Sequence, residues 1–104
     1  MLSGDLTKIK RLILLGQYRF TRKAELDRLR DGLAQTDVLE AIINANGIKK
    51  TLRSNSPFRT GRREKLYVIE GFTFGGLLIY TKGVINKEFG QDVLYILVSA
   101  KRST

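Results

Sequence analysis

The sequence predicts an α+β domain in which N-terminal helices pack on a small, mainly antiparallel C-terminal sheet. Apolar residues recur at helical spacing in the first half of the chain. The second half is rich in Val, Ile, Leu, Tyr and Phe and is punctuated by glycines, as strands joined by turns are. The connections between these strands are too short for parallel crossovers. A length of 104 residues suits one compact domain, so we expect a single domain over residues 1–104.

The first two helices are separated by a short link. An amphipathic helix is expected over residues 5–15, with an N-cap at its start and a glycine directly after it. Residues 17–20 form a brief extended link, and Thr21 then caps a second helix. In that helix Glu25 can pair with Arg28 three residues later. The pattern therefore predicts two helices before Asp37.

The third helix is expected to open at Asp37. Its carboxylate can cap the helix, and Glu40, three residues on, can complete a capping box. An apolar stripe in each helix is expected to face the core. The residues of these stripes are Leu6, Ile9, Leu12 and Ile13 in the first helix, Ala24, Leu26, Leu29 and Leu33 in the second, and Leu39, Ile42 and Ile43 in the third.

Five apolar, aromatic-bearing segments are expected to form strands. They cover residues 48–54, 65–72, 77–82, 84–89 and 93–100. Gly83 is either a turn between two strands or a bulge inside one long strand, and the sequence alone leaves both open. The last segment is apolar on both faces, which is typical of a central strand with helices on one side. Tyr95 and Phe89 are expected to pack in the core.

Positive charge dominates the chain. Lys and Arg number 19 against 10 Asp and Glu, a net charge of +9. The cations are densest over residues 49–65, a segment that we interpret as a platform for a polyanion such as a phosphate backbone. The alternative is a solvated basic loop that adds only solubility. The cations of the segment are Lys49, Lys50, Arg53, Arg59, Arg62, Arg63 and Lys65.

The residue types that the chain lacks limit the reactions and metal sites that it could support. The chain has no Cys and no His, which excludes a disulfide, a thiol nucleophile, an imidazole base and the usual zinc ligands. We therefore expect no metal and no cofactor, and any catalysis must use Lys, Arg, Tyr, Asp, Glu, Ser or Thr. The N-terminus does not have the pattern of a signal peptide, and no apolar run reaches the length of a membrane span. A cytoplasmic protein without a membrane partner is expected.

Six runs of the sequence, taken in order, carry a resemblance to a known family. They are IKRLILLGQYRFTRKAELDRL, DVLEAIINA, IKKTLRS, REKLYVI, LLIYTKG and VLYILVSAKRS. Together they resemble the motility quorum-sensing regulator toxins, mRNA interferases of the RelE-like superfamily. The likeness extends over nearly the whole chain, whereas the middle loop departs from the family in length and charge. It implies a RelE-like fold and the toxin of a bacterial type II toxin–antitoxin pair.

The activity that the resemblance implies is metal-independent cleavage of mRNA by attack of a ribose 2′-hydroxyl on the adjacent phosphate. The family's functional positions fall on Lys50, Glu64, Tyr80 and Lys101 of this sequence. At Glu64 the chain departs from the family, which has a neutral amide there. This carboxylate could serve as a base or only pair with neighbouring cations. The implied partners are mRNA and a cognate antitoxin, with the ribosome as an optional third.

Further cations are candidates for contacts with the RNA. Strand alternation places Lys50 on the face of apolar neighbours, and burial there would favour a catalytic role. Arginines suit phosphate contacts better than proton transfer, because guanidinium stays charged. The candidate RNA-binding residues are Lys49, Arg53, Arg59, Arg62, Arg63, Lys65, Lys82 and Arg102.

A non-catalytic nucleic-acid-binding domain is the alternative function. It would use the same basic surface, and Tyr80 and Lys101 would then position the ligand without taking part in a reaction. The two hypotheses differ in one expected result. In an enzyme, loss of the Tyr80 hydroxyl abolishes cleavage and leaves RNA affinity nearly unchanged.

Overall fold

The computed structural model of the protein describes residues 4–53 and 65–103, which form three helices and one five-stranded sheet. This arrangement confirms the α+β class. None of the described helices is long and apolar enough to cross a membrane. In chain order the elements are α1 (Gly4–Leu14), β1 (Tyr18–Phe20), α2 (Arg22–Arg30), α3 (Gln35–Asn44), β2 (Lys50–Arg53), β3 (Lys65–Phe72), β4 (Leu78–Glu88) and β5 (Gln91–Arg102).

The sheet has the strand order β1-β5-β4-β3-β2. Strands β2 to β5 form the expected antiparallel meander. The link at residues 17–20 contains a strand, β1, which pairs in parallel with β5 so that Tyr18 lies opposite Tyr95. Three residues carry too little pattern to predict a strand, and β1 depends on a partner that lies more than 70 residues away in the chain. This pairing also makes β5 an interior strand, as its two apolar faces predict.

Gly83 lies inside one continuous strand, β4, and the extra residue of the bulge beside it is Val98 of β5. The register between β4 and β5 shifts between Lys82 and Gly83, and the strand continues to Glu88. A Cβ atom on Gly83 would lie 2.3 Å from the Tyr95 hydroxyl oxygen, so the tyrosine ring occupies the space that any side chain would need. One continuous strand is therefore the correct alternative of the two that the sequence left open, and the bulge lies in β5 opposite Gly83.

Helices α1 and α3 cover one face of the sheet. Their apolar residues, including Leu6, Ile9 and Ile42, pack with residues of β3, β4 and β5 such as Tyr95 in one buried core. The Tyr67 hydroxyl also lies on this side and donates to Asp5 Oδ2 at 3.0 Å. Burial, together with this bond, raises the pKa of Tyr67 to about 12. The expected core position of Tyr95 is confirmed.

Helix α2 differs from the prediction in the direction it faces. Thr21 caps it by accepting from the Ala24 backbone N–H, and Arg28 pairs with Glu25, both as expected. Leu26 and Leu29, expected in the core, are 52% and 60% exposed. The reason is that α2 lies beside the end of β5 and turns a face containing Ala24 toward the sheet. The two leucines point away from that contact.

Helix α3 begins two residues before its expected start. It opens at Gln35, after Ala34 at the N-cap, and the Asp37 carboxylate accepts from the Ala34 backbone N–H at 2.8 Å. From inside the first turn, the Asp37 carboxylate therefore binds the backbone N–H of the N-cap residue. This is the role that the prediction gave to Glu40. Val38, Ala41 and Ile42 are buried, while the predicted Leu39 and Ile43 are partly buried against the core.

Candidate nucleic-acid interface

The sheet face opposite α1 and α3, called here the far face, carries most of the described candidate residues. Gly71 lies directly under Ala41 of α3, so its neighbour Glu70 points to the far face. Residues opposite each other in an antiparallel pair share a face. Glu70 lies opposite Tyr80, and Tyr80 lies opposite Lys101. These three side chains therefore form one row across β3, β4 and β5.

A second row lies one pair further along the same strands. Lys50 is opposite Val68, Val68 is opposite Lys82, and Lys82 is opposite Ser99. The two rows place three lysines of three different strands on one surface, together with the Tyr80 ring. The far face is defined by the residues of both rows, Lys50, Val68, Glu70, Tyr80, Lys82, Ser99 and Lys101.

Two ammonium groups flank the half-buried Tyr80 ring. Lys101 Nζ lies 5.3 Å and Lys82 Nζ 5.8 Å from the ring centroid. Both distances are within the range of a cation–π contact. The contacts keep two positive charges beside an aromatic ring, which combines an apolar surface with an attraction for phosphate.

Glu70 supplies the carboxylate of the far face. It accepts hydrogen bonds from Lys49 Nζ and from the Ser103 hydroxyl. These bonds, that of Lys49 first, hold the pKa of Glu70 below its usual range, so the carboxylate is ionised at neutral pH. Lys49 is thereby drawn to the far face as well. Glu70 was not a candidate from the sequence, because its neighbours across the sheet depend on strand register.

A groove continues the basic surface from the far face onto α2. Its volume is about 570 Å³, and Lys101 belongs to both surfaces. Three cations of α2 line the groove and were not predicted from the sequence, because only the packing of α2 against β5 brings them beside Lys101. The α2–β5 groove is lined by Arg22, Lys23, Leu26, Asp27, Arg30, Ser99 and Lys101.

Asp27 is the carboxylate of the groove and lies at its wall. Its Oδ2 atom accepts from Lys23 Nζ at 2.8 Å and from the Ser99 hydroxyl at 2.9 Å. Lys23 Nζ also lies 3.3 Å from Ser99 Oγ, so the three side chains form a closed triangle. The bond from Lys23 is the main cause of a lowered pKa for Asp27, which outweighs the opposing effect of burial.

The structure brings part of the predicted site together. Lys50, Tyr80, Lys82 and Lys101 share the far face, and Lys49 joins them through Glu70. Lys50 is exposed, so the burial that would have favoured a catalytic role for it is absent.

Other predicted residues lie apart from the far face or outside the described chain. Arg53 is opposite Lys65, and alternation from Tyr67 puts both on the helix side. Arg102 lies opposite the buried Ile79, so its side chain is also directed away from the far face. Four predicted residues lie outside the described residues, namely Arg59, Arg62, Arg63 and the candidate catalytic Glu64.

The described carboxylates are spread over the molecule. In residues 4–53 and 65–103, no group of three or more acidic side chains comes together in a way that could hold a metal ion. Comparison of the chain with known proteins found no family model, no curated protein and no solved structure that matches it.

Proposed function

We propose that the protein binds single-stranded RNA on the far face of its sheet. The observation that carries this proposal is the Tyr80 ring with Lys82 and Lys101 Nζ within 6 Å of its centroid. A base can stack on an aromatic ring while its backbone phosphates are attracted by adjacent cations. Such stacking is worth about 1–3 kcal/mol per base, so a single ring contributes a measurable share of the affinity.

The charge of the far face supports the same function. Lys50, Lys82 and Lys101 come from three strands, and Glu70 offsets one of the nearby positive charges through Lys49. The whole chain carries +9, which favours approach of a polyanion from any direction. The lysines of the far face then determine where the polyanion is held.

Fluorescence anisotropy with an unstructured RNA of about 12 nucleotides tests the binding. Tyr80→Ala and Lys82→Ala should each weaken affinity about tenfold, whereas Tyr80→Phe keeps the ring and should bind like wild type. Lys8→Ala removes a charge from α1, away from the far face, and serves as the charge-matched control. If Lys8→Ala weakens binding as much as Lys82→Ala, or if Tyr80→Ala has no effect, the far face is not the RNA site.

Metal-independent RNA cleavage is the second candidate function, and a specific observation favours it. The row Glu70, Tyr80 and Lys101 puts a carboxylate, a phenol and an ammonium on neighbouring strands. In the reaction a ribose 2′-oxygen bonds to the adjacent phosphorus, the bond from phosphorus to the 5′-oxygen breaks, and a proton passes from the 2′-hydroxyl to the leaving oxygen. A carboxylate can orient the hydroxyl, and ammonium groups can balance the growing charge on the phosphate.

This second candidate also accommodates the toxin function implied by the family resemblance. An endoribonuclease toxin would be kept inactive by a cognate antitoxin that covers the basic surface. In that case Tyr80 or Lys101 gives a proton to the leaving 5′-oxygen.

Incubation of the purified protein with a long unstructured RNA in EDTA separates the two candidates. Fragments ending in 2′,3′-cyclic phosphate establish cleavage by transesterification. Tyr80→Phe should then abolish cleavage while RNA affinity changes only a few fold, whereas Lys101→Ala should abolish cleavage and also weaken RNA binding, because Lys101 contributes to both. If the RNA stays intact, including in a repeat with ribosomes present, cleavage is excluded and only the binding function remains. Loss of cleavage that always follows loss of affinity would contradict a catalytic role for these residues.

A further inference from the structure

We propose that the α2–β5 groove is a phosphate-binding subsite, in which Lys23 and Lys101 hold one backbone phosphate of the RNA strand that passes Tyr80. The inference rests on the proposed RNA binding and extends the path of the strand from the sheet onto α2. Asp27 and Ser99 are its positioning residues, because they hold Lys23 in place.

The charge of the groove suits an anion. Its lining includes four cations, Arg22, Lys23, Arg30 and Lys101, and one carboxylate, Asp27. With Asp27 ionised, three positive charges remain in excess. These charges lie along the walls of one concave surface, where they act together on a bound group.

Lys23 is held in one position before any ligand arrives. An ammonium has three N–H donors. In Lys23 one donates to Asp27 at 2.8 Å and another lies 3.3 Å from Ser99 Oγ, which leaves a third for a ligand. The Lys23 side chain is 65% exposed although its charged end is fixed, so a ligand can reach it. A lysine that is already ordered loses less conformational entropy on binding than a free one.

The support for Lys23 is anchored in the sheet. Asp27 and Ser99 are both buried, and the bond between them at 2.9 Å ties α2 to β5. Lys101 follows Ser99 by two residues on the same strand and therefore lies on the same face. Lys23 and Lys101 thus line the groove from α2 and from β5.

Lys101 connects the groove to the Tyr80 ring. Its ammonium lies 5.3 Å from the centre of that ring and also lines the groove. A strand with one base on Tyr80 consequently places an adjacent phosphate at the groove. The subsite therefore predicts that α2 takes part in RNA binding although none of its residues was a candidate from the sequence.

The direction in which Asp27→Asn changes the RNA affinity tests whether Asp27 positions Lys23. Substitution of a bystander acid in a basic groove should raise RNA affinity, because it removes a repulsive charge. If Asp27 positions Lys23, Asp27→Asn should instead lower affinity, by about threefold, and Lys23→Ala should lower it by about tenfold. In the Lys23→Ala background the same Asp27→Asn change should raise affinity, since only the repulsion is left to remove.

The measurement is anisotropy with the RNA used for the far face, on variants shown by thermal melting to be folded. Glu88→Gln, at the exposed β4–β5 turn, is the matched control for loss of one acidic charge and should raise affinity slightly. Ser99→Ala removes one hydrogen-bond partner of Lys23 without a change of charge. Like Asp27→Asn, it should lower the RNA affinity. A raised affinity for Asp27→Asn in the wild-type background would overturn the positioning role.

Two failures can be told apart. If wild-type protein binds the RNA and Tyr80→Ala weakens it, but Lys23→Ala binds normally, the groove is not part of the interface and this inference alone fails. If wild-type protein binds no RNA, the proposed function fails and the inference fails with it. Saturation of the groove by micromolar inorganic phosphate, followed through the amide signals of residues 23, 99 and 101, would identify a site for free phosphate and would also overturn the inference.

Discussion

Glu70 shows how one residue gains its properties from positions that are distant in the chain. Lys49 and Ser103 donate to its carboxylate, and Tyr80 lies opposite it on the next strand. Its charge is therefore fixed in the middle of a basic surface. A negative group in that position repels the phosphates that the surrounding lysines attract.

Glu70→Gln should therefore raise RNA affinity by about threefold at low salt, because one negative charge is removed from the interface and Lys49 is released. If the protein cleaves RNA, the same variant should cleave more slowly, since the group that orients the 2′-hydroxyl is weakened. Anisotropy and product mapping on the same samples measure both effects. An unchanged affinity for Glu70→Gln would show that phosphates do not approach this part of the sheet, and a lower affinity would show that Glu70 instead positions Lys49 for the RNA.

Phe89 contradicts the expectation that it packs in the core. It is fully exposed in the two-residue turn between β4 and β5, with a φ of +52°. Gly90 beside it has a φ of +79°, and a turn with two positive φ values favours Asn-Gly. A phenylalanine in the left-handed region costs about 1–2 kcal/mol of backbone energy.

Phe89→Asn should raise the free energy of unfolding by about 0.5–1 kcal/mol, because asparagine tolerates this conformation. Phe89→Leu is the control, since it changes the side chain but keeps the unfavourable φ. It should stay within about 0.5 kcal/mol of wild type. Urea unfolding of the three proteins gives both differences, and equal stability of Phe89→Asn and Phe89→Leu would refute the role of φ.

At the scale of elements, the packing depends on two glycines whose neighbours leave no room for a side chain. Gly83 leaves room for the Tyr95 ring, and Gly71 allows α3 to approach β3 until the Ala41 carbonyl touches the strand. A Cβ atom on Gly71 would lie 1.9 Å from that carbonyl oxygen, which is backbone and cannot rotate away. The contact between α3 and β3 therefore requires glycine at this position.

Gly71→Ala should lower the free energy of unfolding by about 3 kcal/mol, since α3 must shift away from the sheet. Gly75→Ala, in the turn between β3 and β4, is the matched control. Its new Cβ atom would have Thr73 Oγ1 as its nearest neighbour at 3.7 Å, and little change is expected. Chemical denaturation compares the two variants, and an equal loss in both would contradict the close approach of α3.

At the scale of the whole molecule, the excess of positive charge makes the few ionised acids important. Asp27 and Glu70 both have pKa values that hydrogen bonds from lysine lower on folding. A carboxyl whose pKa is lowered by folding stabilises the folded state above its unfolded pKa. That contribution disappears as the pH falls through the folded pKa.

The melting temperature should consequently fall between about pH 6 and about pH 3. The double variant Asp27→Asn/Glu70→Gln should begin from a lower melting temperature at pH 6 and lose less of it on acidification. Scanning calorimetry across this pH range measures how the melting temperature of each protein changes. A double variant that loses as much as wild type would show that other acids cause the acid sensitivity.

The salt dependence of RNA binding should report the number of phosphates in contact. For a single strand, the slope of log K against log salt is about −0.7 per phosphate, so four contacts predict about −3. Loss of one contact in Lys82→Ala should make the slope less negative by about 0.7. A flat response in wild type would exclude both binding and cleavage of RNA on this surface.

The sequence by itself determined the α+β class, the antiparallel meander and the basic character of the molecule. Hydrophobic period and charge are local properties, and they are strong in this chain. The bounds of β3 follow from them directly, since the expected segment 65–72 is the observed strand. The Thr21 cap and the pairing of Glu25 with Arg28 are likewise local and were confirmed.

Only the tertiary structure decided which side chains meet. The pairing of β1 with β5, the outward direction of Leu26 and the β5 bulge opposite Gly83 all depend on partners far away in the chain. The same holds for the row of Glu70, Tyr80 and Lys101, which exists because strand register sets three distant residues side by side. A linear pattern shows which residues are charged or apolar, but a surface is made by contacts between strands and helices, and those contacts are fixed only when the chain packs.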